Sequence, residues 1–114
     1  MKLEYKSEEI TERNRKQKLV RDNDLMLMTK QKKNFTYHTA TAEEHKISLR
    51  NKLIEEAEEH AANPKPEELI DVLEVIHALA KTYNLTIEQL DKLRKAKRDF
   101  RGGFNQGIIL EKWK

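Results

Sequence analysis

The stretch KLIEEAEEHAANPKPEELIDVLEVIHALAK, residues 52–81, decides the fold. Apolar residues recur at helical spacing on both sides of Pro64 and Pro66, which predicts a helix, a short turn and a second helix. A connection this short folds the pair back antiparallel. Carboxylates crowd both sides of the turn. Glu56 and Glu59 lie three apart on the first helix, and Glu68 and Asp71 lie three apart on the second, so each pair shares a face. Antiparallel pairing sets Glu59 opposite Glu68 and Glu56 opposite Asp71, with the two rungs roughly 4.5 Å apart along the axes. Glu55 and Glu58 repeat the spacing in a second register, but Glu56 and Glu59 are the ones that pair across the turn.

A box of four carboxylates needs a compensating charge. Two of them about 5 Å apart repel by roughly 3 kcal/mol at the effective dielectric of a partly buried site. A hard divalent cation removes that cost, and Mg²⁺, with Mn²⁺ as a substitute, takes oxygen ligands and keeps positions open for water and phosphate. In a chain with 38% charged residues a single ExxE is an ordinary solvated face; two in register across one turn are not. Asp71 adds to this reading. The second helix is polar between Leu69 and Ala80 only at Asp71, Glu74 and His77, which predicts burial nearly all round, where an unpaired carboxylate is expensive. Glu74, one step further along, is a candidate additional ligand or supporting partner.

Length and composition bound the rest. The 114 residues suit one domain, with 37% hydrophobic residues confined to stripes, as in a helical protein with thin core faces or an oligomer sharing its core. The chain lacks cysteine, which removes disulfides and cysteine-ligated zinc and suits a reducing interior. No apolar run reaches the ~20 residues of a membrane span and no signal-peptide core opens the chain, so the expected location is cytoplasmic. The net charge is only +3, yet Lys92, Arg94, Lys95, Lys97, Arg98 and Arg101 crowd one late segment, where an anion would bind.

Residues 1–17 read as an N-terminal arm, in which Ser7 is placed to cap a helix through Arg15 and a frayed segment is the equal alternative; residues 18–114 form the domain. Leu25, Met26, Leu27 and Met28 suggest a short helix. FTYHTA, residues 35–40, alternates as a strand does, and GIILEKW, residues 107–113, is its candidate partner. Thr41 with Glu44 reads as a capping box that starts the first long helix at Ala42, with an end near Ala62. Pro66 suits the first turn of the second. Thr86 with Gln89 opens a third, with Ile87, Leu90, Leu93 and Phe100 inward, until Gly102 and Gly103 stop it. That double glycine also permits close approach of backbone to a ligand. Tyr83, Phe104 and Trp113 read as packing residues, His77 as a satisfied core residue, and the four histidines share no metal-ligand spacing. The expected class is all-α: an antiparallel bundle of three to four main helices, with room for one short two-stranded β element.

In order, KLVRD at 18–22, KLIEEAEE, EELIDVLEVIHALA, a K-x-x-x-R-G-G-F run and a short apolar tail resemble the all-α nucleoside triphosphate pyrophosphohydrolases, the MazG-like superfamily, and its small phosphoribosyl-ATP pyrophosphohydrolase-like branch. The likeness runs from about Lys18 to Leu110. It implies a helical fold assembled as a homodimer or higher oligomer, magnesium dependence, and hydrolysis of a nucleoside triphosphate between the α and β phosphates to the monophosphate and pyrophosphate, in nucleotide-pool house-cleaning. By that resemblance Glu56, Glu59, Glu68 and Asp71 match the metal-binding positions. Lys97, Arg101, Gly102 and Gly103 match a downstream basic motif that we read as touching phosphate, and Lys18 and Arg21 fall in the early motif, also on the substrate side. Where the family continues that motif with lysine, isoleucine and proline, this chain has Asn23, Asp24 and Leu25.

The expected chemistry has the carboxylates holding magnesium against the phosphates, with Glu56 or Glu59 accepting the proton of the attacking water and Lys97 and Arg101 offsetting charge on pyrophosphate. Two rival readings belong to other classes. One is a nucleic-acid-binding adaptor using the basic helix at 92–101, opposed by the nearly equal acidic content and the scarcity of stacking aromatics. The other is a catalytically inactive, oligomerising scaffold, opposed by the intact acidic quartet.

Overall fold

The structure is a computed structural model and describes residues 17–114. The possible Ser7-capped helix and nearly all of the arm lie outside the described residues. The fold is all-α, with helices α1 (Asp24–Lys30), α2 (Ala42–Ala62), α3 (Pro66–Thr82) and α4 (Ile87–Arg101).

Local chemistry sets the helix ends. Thr41 Oγ1 accepts from the Glu44 backbone N–H at 3.2 Å and starts α2. The expected capping box is only half formed there, because the Glu44 carboxylate lies 2.9 Å from His38 Nε2 and ties the preceding segment to the helix instead. Pro66 takes the first turn of α3, where its missing N–H costs nothing. At α4 both halves of the box form: Thr86 Oγ1 accepts from the Gln89 N–H at 3.1 Å, and Gln89 Oε1 accepts from the Thr86 N–H at 2.8 Å. Gly102 closes α4 at φ +81° and ψ 172°, a conformation essentially reserved for glycine. A side chain there would meet open space, so its role is the stop rather than a close backbone approach.

Helices α2 and α3 form the expected antiparallel hairpin, and α4 touches α3 only lightly. The buried apolar residues, Leu49, Val75 and Ala80, come from the hairpin. That thin core corrects several expectations. Helix α3 is not buried all round: Leu69 is 55% and Leu73 54% exposed, because α2 covers one side and, among the described residues, little covers the other. On α4, Ile87 and Leu90 are half-buried, but Leu93 and Phe100 face outward, the latter 90% exposed. Tyr83, Phe104 and Trp113 are exposed as well. Residues 35–40 and 107–113 form no strand. Among the described residues no backbone hydrogen bond joins the two segments; Ile108, Ile109 and Leu110 are exposed, and a strand with no ladder partner has nothing to hold it. Helix α1 fulfils the expected short helix over Leu25–Met28.

Candidate metal centre

Among the described residues the buried set contains as many charged residues as apolar ones: Lys52, Glu55 and Glu56 beside Leu49, Val75 and Ala80. All three charged residues lie on the face of α2 turned toward α3. Burying carboxylates costs several kcal/mol each, by order of magnitude, unless charge and hydrogen bonds compensate. The hairpin therefore has an electrostatic centre where a core would be expected.

Two trios of carboxylate oxygens occupy it. Glu55, Glu56 and Glu59 each offer an oxygen within 4.8 Å of the others, and so do Glu56, Glu68 and Asp71. Glu56 belongs to both. The helical hairpin thus brings Glu56 together with Glu68 and Asp71 across the turn, as the spacing predicts. Glu59, expected opposite Glu68, instead joins the trio along its own helix.

Glu55 is the residue that sequence reasoning passed over. Consecutive helical positions are 100° apart, so Glu55 and Glu56 both flank the seam with α3 and both are buried, while Glu58 points out. A signal existed in the lysine three residues earlier. Lys52 Nζ lies 3.5 Å from Glu55 Oε1 and 3.3 Å from Glu56 Oε1, so KxxEE is a buried ion cluster on one face. Glu74 is exposed and lies in neither trio, and His60 and His77 are half-buried without joining them.

A second cation arrives from far along the chain. Arg21 Nη2 donates to Asp71 Oδ1 at 2.6 Å, joining the KLVRD segment to α3. Arg21 is thus at the box, though on a carboxylate. Lys18 is half-buried in the same segment. Lys97, Arg101, Gly102 and Gly103 are exposed at the far end of α4, and neither basic side chain bonds to the acidic residues among the described residues. Earlier on α4, hydrogen bonds from Arg94 and then Lys95 hold the Asp91 carboxyl below its ordinary range, which engages part of that basic run within the helix.

The donor set fits a hard divalent cation. It consists of carboxylate oxygens only, and among the described residues their number exceeds the positive charge beside them and Glu56 Oε2 is buried without a hydrogen bond. An oxygen in that state is what a cation would satisfy. No helix among the described residues is long and apolar enough to cross a membrane. No protein-family model, no curated protein and no solved structure matches this chain.

Proposed function

We propose that this protein is a magnesium-dependent nucleoside triphosphate pyrophosphohydrolase, cleaving between the α and β phosphates, and that it works in the cytoplasm in nucleotide-pool house-cleaning. The observation that carries the reading is the sharing of Glu56 between two carboxylate trios inside a hairpin that buries more acid than base. The order of motifs, which resembles the MazG-like superfamily and its phosphoribosyl-ATP pyrophosphohydrolase-like branch, supports it.

Glu56, Glu68 and Asp71 would hold the divalent cation, Mg²⁺ or Mn²⁺, with Glu55 and Glu59 beside Glu56 in the other trio. When bound it supplies countercharge for the phosphates and a water of lowered pKa. Glu59 is less buried than Glu56 and stands at the edge of its trio, a suitable place for a base that takes the proton as water attacks phosphorus. The bond to the bridging oxygen breaks, and pyrophosphate leaves with the electron pair. Lys18 approaches the substrate from the same side as Arg21, and Lys97 and Arg101, with Gly102 and Gly103 shaping the bend beneath them, are assigned to the leaving group.

A second copy of the chain belongs to this reading. Leu69, Leu73 and Ile76 lie along one side of α3 and carry no charge, and a two-helix hairpin seldom buries enough surface to stand alone. Two hairpins packed through these stripes would make a four-helix core with an acidic centre in each half.

The test is a pyrophosphate-release screen over ordinary and modified nucleoside triphosphates with magnesium or with chelator. Magnesium-dependent release from at least one of them is expected. No release from any would overturn the enzymatic reading in favour of a scaffold.

A further inference from the structure

Among the described residues the acidic box contains two positive side chains of very different standing. Lys52 is about 10% exposed at its side chain and sits on the same helix as its partners, Glu55 and Glu56. It cannot leave without repacking the hairpin. Arg21 comes from 50 residues away in sequence, meets Asp71 through one ion pair, and both side chains are open to water, at 51% and 39%. Its backbone, by contrast, is fixed: Asp24 Oδ2 accepts from the Arg21 N–H at 3.0 Å, and the Asp24 N–H donates to the Arg21 carbonyl at 3.0 Å. A pinned backbone with a half-exposed side chain lets the guanidinium swing while its base stays beside the box.

We infer that Arg21 is the exchangeable counter-cation of this site: it competes with a divalent cation for Asp71 and, once displaced, engages the phosphates that accompany that cation. The inference rests on the metal-binding reading of the box. Asp71 belongs to the cross-turn trio with Glu56 and Glu68, so the Arg21 charge lies within a few ångströms of where that trio would hold an ion. Two positive charges that close repel, so Arg21 weakens metal binding while it remains on Asp71. Its planar fork suits phosphate at least as well as a single carboxylate oxygen, which gives the displaced side chain somewhere to go. Metal and nucleotide would then bind cooperatively, because each removes a competitor of the other.

Binding of Mn²⁺ alone, followed by the electron paramagnetic resonance signal of the free ion, tests this on the wild type and on Arg21→Gln, Arg21→Lys and Asp71→Asn. Arg21→Gln should bind Mn²⁺ roughly tenfold more tightly than the wild type, the size expected for one charge removed at that range even with water-like screening. Arg21→Lys should stay near the wild-type value, and Asp71→Asn should lose affinity. With Mn²⁺ present, inorganic tripolyphosphate should bind Arg21→Gln more weakly than the wild type. Unchanged or weaker Mn²⁺ binding by Arg21→Gln would overturn the exchange and make Arg21 an orienting partner of Asp71. Unchanged tripolyphosphate binding would overturn the handover. If the wild type takes up no Mn²⁺ at all, the metal reading itself falls, and the exchange with it.

Discussion

Glu56 is 4% exposed, is common to both carboxylate trios and lies 3.3 Å from Lys52 Nζ, so removing its charge separates metal binding from folding. Its attraction to Lys52 is opposed by four neighbouring carboxylates within the trios. With Arg21 on Asp71 offsetting only part of that repulsion, Glu56→Gln should stabilise the chelator-treated protein by on the order of 1 kcal/mol. It should also abolish the rise in melting temperature that Mg²⁺ at the proposed site would give the wild type. Lys52→Met should do the reverse, costing roughly 3 kcal/mol in chelator because it removes a buried cation within 3.5 Å of two buried carboxylates. Thermal melts with chelator and with magnesium check both; a Glu56→Gln protein that melts lower in chelator than the wild type would refute the repulsion. Residue spacing made Glu56, Glu68 and Asp71 legible in the sequence, since a fixed rise and a short turn leave little freedom. Glu55 was hidden by the ambiguity of adjacent helical positions. Arg21 on Asp71 had no local signal, because nothing in KLVRD states which distant carboxylate it will meet.

Among the elements, those that carry their own end signals are the ones the sequence placed well. Thr41, Pro66, Thr86 and Gly102 each act on backbone groups within four residues, and α2 and α3 begin where those residues predict. The caps are not equal. Thr86 and Gln89 bond reciprocally, while Glu44 is drawn away by His38. Gln89→Ala should therefore cost up to about 1 kcal/mol in urea unfolding by removing its bond to the Thr86 N–H, a bond that Thr86→Ala leaves in place. No loss in Gln89→Ala would mean that this bond contributes nothing. The expected strands failed for a related reason. Alternation in residues 35–40 describes one segment, whereas a ladder needs two, and residues 107–113 do not supply the second.

At the scale of the molecule, hydropathy patterning identified surfaces that need cover without saying which chain supplies it. Leu69, Leu73, Leu93 and Phe100 follow the helical period and yet are exposed in the single chain. The proposed dimer accounts for the stripe on α3. Light scattering should give twice the 13.5 kDa mass of one chain, and replacing Leu69 and Leu73 together with aspartate should return it to one. A wild-type monomer at micromolar concentration would leave that face without its proposed partner.

Pyrophosphate release by the wild type and by Asp71→Ala, each with magnesium and with chelator and each checked for helicity, tests the role of the acidic box most directly. The account predicts magnesium-dependent release by the wild type and a loss of at least roughly a hundredfold in the variant, the order expected when a transition-state electrostatic contact is removed, with helicity unchanged. Undiminished release by Asp71→Ala would contradict it.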